Sequence, residues 1–356
     1  MAAQRAQSRS NVQYGEGGAG TFSDGKLYSR IKDPRHLNRK VLTEFVKAGA
    51  PPEILTEAHP HIGTFRLVTM VESMRATIEE LGGEYRFSTR VDGLDVETDG
   101  SGTRRVRGLH LNGGGYLEAD HVVLAIGHSA RDSFAMLQSA GVYVEAKPFS
   151  IGVRIEHPQG WIDRARFGHQ AGHPILGAAE YHISHHCQNG RTVYSFCMCP
   201  GGTVVAATSE EGRVATNGMS QYSRNERNAN SGFVVAIDPE RDFPGDPLAG
   251  LALQRHWEER AYVAGGSNYK APAQRVGDFL AKRPSTSLGS VTLLSPRRDA
   301  HRPVRMPARL RGRGDARSDP GLRPPDRRLR PPGRGDDRRR DAHLLAGPLH
   351  AWRGWA

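Results

Sequence analysis

The chain of 356 residues is long enough for about two domains with buried cores, and its formal net charge is +11. No run approaches the ~18 apolar residues of a membrane helix and the N-terminus carries no apolar signal segment, which argues against a membrane or secreted protein. Three cysteines (Cys187, Cys197, Cys199) are too few for a disulfide framework, so a reducing, cytoplasmic location is the expectation.

Residues 1–10 are polar and without pattern. From Asn11 to Arg30 the chain is rich in glycine, and its centre reads YGEGGAGTFSDGK over residues 14–26. Glycines let a backbone approach a ligand closely, and successive N–H groups can cradle an anion. Thr21, Ser23 and Lys26 add hydroxyls and a cation. An ordinary flexible loop is an equal reading. No strand precedes the segment and no Gly-Lys-Ser/Thr ends it, so neither a dinucleotide fingerprint nor a Walker loop is present.

Asn38–Ala48 is expected to be a helix, with Val41, Leu42, Phe45 and Val46 on one face and Gly49 and Pro51 stopping it. A longer helix is expected over Phe65–Leu81, where Leu67, Met70, Val71, Met74, Ile78 and Leu81 recur at helical spacing. Thr64 is the expected N-cap, and Gly82-Gly83 the stop. The period then shortens. Tyr85–Phe87, Val91–Val96, Val106–Leu111 and Tyr116–Glu118 are strand candidates, with Asn112–Gly115 as a turn. The apolar run His121–Gly127 is the length of a strand buried on both faces of a parallel sheet. It leads into Ala125-Ile-Gly-His-Ser-Ala-Arg131, a strand end where doubly wound folds bind ligands; a plain strand-to-helix turn is the competing reading.

From Lys147 the texture becomes strand-rich. Phe149–Ile155, Thr192–Met198 and Thr203–Ala207 are expected strands, and Leu248–Ala264 a helix. His182–Cys187 and Phe196–Gly202 concentrate His and Cys. Cys-x-Cys is tighter than zinc ligands usually stand, so no metal site is expected. On a strand Cys197 and Cys199 would share one face, where packing, a redox role or a substrate role are all open. Thr208–Arg213 and Asn217–Arg224 read as polar loops, either solvated or facing a small molecule.

Residues 294–356 change character again. They hold 17 Arg and 7 Asp but no Lys, Glu, Ile, Phe, Tyr or Thr, and they carry nearly all of the net charge. Disorder is the expectation here. One function class follows from the tail alone: non-specific, salt-dependent nucleic-acid binding. No specific nucleic acid and no membrane partner are expected.

Taken together, long strings of the chain resemble a family of FAD-dependent dehydrogenases, flavoproteins of the NAD(P)/FAD-dependent oxidoreductase type. They include SNVQYGEGGAGTFSDGKLYSR, PHIGTFRLVTMVESMRATIEELGGEYRFSTRV, VVLAIGHSARD, AKPFSIGVRIEHPQ, GRTVYSFCMCPGGTVVAATSEEGRVATNGMSQYSRNERNANS and YKAPAQRVGDFL, spread almost continuously over residues 10–293. The resemblance implies an α/β protein. A partial FAD/NAD(P)-binding three-layer (ββα) fold over 11–147 is interrupted by a β-rich α+β domain over 148–293, which serves substrate or interaction. By resemblance, Gly17, Gly18, Ala19, Gly20, Thr21, Ser23, Asp24, Gly25 and Lys26 lie along the flavin of an FAD cofactor. Val91 lies near its adenine end, and Gly127, His128, Ser129 and Arg131 close on it. Cys197, Cys199, Gly201 and Gly202 face the flavin or an unknown small-molecule substrate. The implied chemistry is hydride transfer through the flavin.

Two features depart from the family. Its opening strand with a glycine turn is not found at the start of this chain, and its glycine-rich closing segment is not found at the end. Back-translated with GC-rich codons and shifted one frame, His301–Arg317 reads PTDLSACLPDFVVEAMR, and Arg338–Leu345 reads GVETRTSS. Both strings are family-like, so a truncated, frameshifted copy with impaired activity is the expectation.

Overall fold

The computed structural model describes residues 16–17, 25–27 and 32–288, together with the backbone of 343–346. Gly18, Ala19, Gly20, Thr21, Ser23 and Asp24, residues 1–10 and nearly all of 294–356 therefore lie outside the described residues.

The first helices form where the apolar spacing places them: α1 (Leu37–Lys47) and α2 (Thr64–Glu80), joined through a 3-10 turn at Pro52–Leu55. Leu42, Ile54, Ile62, Leu67 and Met70 make their common core, with Phe45, Val46, Val71 and Met74 packed against it. Val41 is exposed instead, and so are Ile78 and Leu81 at the far end of the α2 stripe. The α2 terminus is a Schellman motif: Gly82 N–H donates to Glu79 O and Gly83 N–H to Ile78 O. Its start corrects the expected cap. Gly63, not Thr64, is the N-cap, at φ 79°, and the Thr64 hydroxyl donates to Ser220 O at 3.4 Å. A Cβ on residue 63 would stand 2.4 Å from Tyr222 N, so only glycine lets the helix begin this close to that loop.

Next come β1 (Val91–Thr98), β2 (Arg104–Leu111) and β3 (Gly115–Glu118), a three-stranded antiparallel meander in that order. Tyr85–Phe87 is not a strand; its two rings stack on each other instead. The buried parallel strand expected at His121–Gly127 does not form either, and Val123 is 90% exposed. An apolar run becomes an interior strand only when neighbours on both sides pair its backbone. Among the described residues no strand lies beside it, and every strand pairing is antiparallel. A parallel, doubly wound sheet is thus not seen; the fold is mixed α/β with three antiparallel sheets.

After α3 (Arg131–Ser139) the strand-rich part contains β4 (Phe149–Pro158), α4 (Gln159–Phe167), β5 (Ser184–His186), β6 (Thr192–Cys199), β7 (Gly202–Ala207), β8 (Ala215–Ser220) and β9 (Asn228–Ile237). Then come α5 (Pro239–Asp242), α6 (Ala249–Ala264), β10 (Ala273–Arg275), α7 (Val276–Leu280) and β11 (His343–Ala346). Six strands form one sheet in the order β10-β11-β4-β9-β6-β5, while β7 and β8 pair as a separate hairpin. The long pairing of β4 with β9, from Phe149↔Ile237 to Pro158↔Asn228, is its spine.

The two faces of that spine differ in chemistry because side chains alternate. Phe149, Ile151, Val235 and Ile237 form an apolar face, which packs with Phe243 and with Leu253 and Trp257 of α6. The opposite face carries Arg154, Glu156, Asn228 and Asn230, all buried. The β7–β8 hairpin covers it, since a Cβ on Gly218 would stand 2.3 Å from Arg154 Nη1. β11 departs from the expected disorder of 294–356 over four residues. Its backbone lies between β4 and β10, antiparallel to both. His343-Leu-Leu-Ala346 is a stretch of the tail without Arg, Pro or Gly, so it can offer every N–H to a ladder. No helix among the described residues is long and apolar enough to cross a membrane.

Candidate functional site

Three of the four chemistry-bearing segments meet at one junction. Gly25–Leu27 is clipped to the stretch before α2: Leu27 N–H donates to Pro60 O at 2.9 Å, and Ile62 N–H donates to Gly25 O at 3.1 Å. Lys26 then reaches across to the strand-rich part, where its ammonium donates to Met198 O. His61 Nε2 bonds Tyr222 O at 3.1 Å, and its ring stacks on Tyr222 with centroids 5.2 Å apart. The Arg66 guanidinium stands 3.9 Å from the Tyr222 ring centre, a cation–π distance. The end of the glycine-rich segment, the start of α2, Cys197–Gly202 and Ser220–Arg224 therefore share one neighbourhood.

The Cys197–Gly202 stretch is not the regular strand its sequence suggests. Cys197 has φ 45°, a left-handed conformation uncommon for a residue with a Cβ, and the pairing of β6 with β9 shifts register between Phe196 and Cys199. The expected alternation of the two cysteines on one regular strand face is thereby replaced by a bulge. Gly201, also at φ 45°, turns the chain into β7, and a Cβ there would lie 1.7 Å from Arg224 O. Gln159 fixes this turn by accepting from Gly201 N–H at 2.8 Å.

Beneath the turn lies the polar interlayer. Cys199 is fully buried, with its thiol 3.5 Å from Cys197 O and 4.0 Å from Arg154 Nη1. The same Nη1 donates to Cys197 O at 3.3 Å and to Asn230 Oδ1, and Asn228 Nδ2 donates to Glu156 Oε1 at 2.8 Å. A hydrogen bond with the Cys197 thiol, and then burial, push the Cys199 thiol well above the usual range; the nearby Lys26 and Arg154 cations act the other way and lose. On the other face His157 Nε2 bonds Tyr181 OH at 2.9 Å. Burial holds His157 down at about 4 and pushes Tyr181 up to about 12, so at neutral pH the imidazole is neutral and the phenol keeps its proton.

The second predicted segment lies elsewhere. Gly127 is exposed, at φ 68°, and Ser129 is buried. Arg131 is 4% exposed and its guanidinium is already engaged. Nη1 donates to Glu258 Oε2 at 2.9 Å and Glu210 Oε2 at 2.5 Å, and Nη2 to Glu258 Oε1 at 2.6 Å. Arg255 completes the cluster on Glu210 at 2.6 Å. Burial works to raise Glu210, but hydrogen bonds from Arg255 and Arg131 outweigh it and hold the carboxyl below its usual range. This cluster ties α3 to α6 and to Thr208–Arg213, which sequence reading leaves as a loop. Val91 begins β1 in register with Leu111.

Sequence reading missed β8 and β9. Residues 217–220, read as loop, belong to β8, and Asn228 and Asn230 supply acceptors and donors to the interlayer. It also missed the roles of His61, Arg66 and Gln159, for which spacing gives no signal. Among the described residues no group of three or more His, Cys, Asp or Glu side chains is placed to hold a metal. A separate apolar cavity of about 370 Å³ is lined by Leu124, Phe134, Leu137, Tyr143, Phe149 and Phe243 among others. None of its lining residues belongs to the junction.

Comparison with known proteins adds two findings. Residues 148–305 match the family model described as FAD-dependent protein, C-terminal domain-like. A protein of Clostridium beijerinckii, itself named only as an uncharacterized protein, is 50% identical over 289 residues. That match covers 81% of this chain and 52% of the relative, so the chain spans about half the relative's length.

Proposed function

We propose that this chain derives from an FAD-dependent oxidoreductase that acts on a small molecule, with the junction of Lys26, His61 and Cys197–Gly202 as its flavin-facing site. One observation carries the reading: the end of the glycine-rich segment is bonded through Lys26 to a turn of the very domain that matches FAD-dependent proteins. Bound FAD would supply two-electron hydride chemistry. The chain's own part is to bind and to exclude water. The backbone of residues 17–26 would line the cofactor, and Lys26 would place positive charge beside it. Gln159 holds the Gly201 turn rigid. The Arg66–Tyr222–His61 stack fixes the wall opposite. Arg131 does not fit a cofactor role, because both of its Nη groups are taken by Glu258 and Glu210.

Weak retention is part of the proposal. The crevice of a doubly wound sheet is not assembled around His121–Gly127 among the described residues. The purified chain should therefore come without stoichiometric flavin, yet added FAD should bind saturably. Titration followed by flavin fluorescence tests this, with Lys26→Ala as the comparison. Saturable binding weakened about tenfold by the substitution, the size of one lost charge-assisted contact, supports the reading. No saturation even at millimolar FAD would refute it. The reading also holds that the tail is translated outside the family's frame beyond residue 305, where the family match stops. Sequencing the locus in a close relative would show an in-frame PTDLSACLPDFVVEAMR there if so.

A further inference from the structure

We propose that Cys197 and Cys199 form a dithiol exchange site that reduces small-molecule disulfides. This goes beyond the flavin reading and does not depend on it.

The geometry points this way for four reasons. Both cysteines are thiols in this structure, one half-buried and one fully buried. That asymmetry suits an attacking thiol within reach of solvent and a resolving thiol behind it. Second, they lie two residues apart across a bulge rather than on a regular strand. On an extended strand such a pair spans about 6.6 Å between Cα atoms, near the upper limit a disulfide bridges, and a left-handed residue shortens the span. Cys199 folds back far enough for its sulfur to reach Cys197 O at 3.5 Å. Third, the site is electropositive: Arg154 stands 4.0 Å from the Cys199 sulfur, and the Lys26 ammonium is bonded to the carbonyl of the intervening Met198. At Cys199 burial and the Cys197 hydrogen bond outweigh these cations, so the resolving thiol keeps its proton until the mixed disulfide forms, and the cations then stabilise the charge it develops. Fourth, the φ of 45° at Cys197 is held by its surroundings, through the Arg154 bond to its carbonyl, rather than by local preference.

The reaction balances without a further reagent. The Cys197 thiolate attacks one sulfur of RS–SR; a Cys197–SR bond forms, the RS–SR bond breaks, and RS⁻ leaves and takes up the proton Cys197 gave to solvent. Cys199 then attacks the Cys197 sulfur. The Cys197–Cys199 bond forms, the second RS⁻ leaves, and the Cys199 proton goes to it. Two electrons pass from the protein dithiol to the small disulfide, giving two RSH. Arg154 stabilises the Cys199 thiolate as it develops. Cys187 lies on the turn after β5 and takes no part.

The test uses the full chain, reduced and without flavin, incubated with glutathione disulfide over a series of glutathione ratios. Samples are acid-quenched, alkylated, digested and read by mass spectrometry. Wild type should yield a Cys197–Cys199 bridged peptide and little glutathione adduct. Cys199→Ser should lose the bridge and hold a glutathione adduct on Cys197 at least about tenfold longer. Cys197→Ser should give neither product. Cys199 is fully buried, so Cys199→Ala is made beside the serine variant, and the wild-type result is decisive without either. The proposal fails if both thiols of wild type remain alkylatable in fully oxidising buffer. It fails equally if the adduct on Cys197 persists in wild type as it does in the Cys199 variants, or if the bridge forms to Cys187.

Discussion

Gly218→Ala is the sharpest probe of the polar interlayer. Gly218 does not have a positive φ, so the backbone itself accepts alanine. Space does not: the new Cβ would stand 2.3 Å from Arg154 Nη1, 2.4 Å from Asn230 Oδ1 and 2.8 Å from Cys199 Sγ. Restoring ordinary contact asks the guanidinium to retreat by about 1 Å. No retreat keeps the Arg154–Asn230 bond, a charge-assisted bond of about 1.5–3 kcal/mol. Overpacking a close-packed interior adds about 1–3 kcal/mol. Loss of unfolded-chain entropy on replacing glycine returns about 0.4–1 kcal/mol. The net is about 2–5 kcal/mol of destabilisation, or a Tm lower by about 4–20 °C for a domain of this size. Thermal unfolding followed by circular dichroism measures it. Gly100→Ala serves as the control, since nothing lies within 4 Å of its Cβ position. A Gly218→Ala Tm within about 2 °C of wild type would mean that β8 does not lie against Arg154.

Three further outcomes are expected. Glu258→Gln leaves the buried Arg131 short of its bidentate partner and should cost about 3–5 kcal/mol in urea unfolding, whereas the double change Arg131→Met with Glu258→Leu should cost less; the reverse order would contradict the cluster's assignment. His157 is held down at about 4 by burial, so the unfolded chain takes up its proton first as pH falls. Stability should be complete above the unfolded value near 6.5 and should drop by about 3 kcal/mol by pH 4. In His157→Asn that part of the pH dependence should vanish, and an unchanged profile would show that His157 is not buried neutral. Gly201→Ala combines a left-handed φ with a Cβ 1.7 Å from Arg224 O, so it should abolish soluble expression or lower Tm by more than 10 °C, about what ~3 kcal/mol produces; a well-folded variant would contradict the turn.

What could be read from sequence follows the physics of each element. α1, α2 and α6 were legible because their apolar spacing is regular and each ends in glycine. β4, β6 and β7 were legible from β-branched and aromatic runs. β9, the partner of β4 along its whole length, was not. Its first half, Asn228-Ala-Asn-Ser-Gly232, has the composition of a loop, yet it is buried. A buried strand can be polar when its side chains find partners such as Glu156 and Arg154 on the neighbouring strand, and pattern reading cannot see a partner about 70 residues away. His121–Gly127 failed in the opposite sense: its composition suits an interior strand, but strands are made by neighbours. The site divides likewise. Lys26, Cys197 and Gly201 stood out as residue types in glycine-rich surroundings. Arg131 stood out too, but three-dimensional pairing with Glu258 and Glu210 gives it a structural role. His61, Gln159 and Tyr222 matter only through contacts between distant segments.

The placement of β11 sets an order of events. β4 leaves the ribosome long before His343–Ala346 does, and meanwhile one of its backbone edges stays unpaired. With β10 already in place, docking the segment closes the stretch from Arg275 to His343, about 70 residues, an entropic cost on the order of 4 kcal/mol, against the few ladder bonds a four-residue strand can make. A contact assembled last and held by so little is also the first to part. Amide exchange at the β10–β11–β4 side of the sheet should then proceed through local opening, well below the free energy of global unfolding, while the β4–β9 spine exchanges only when the whole domain unfolds.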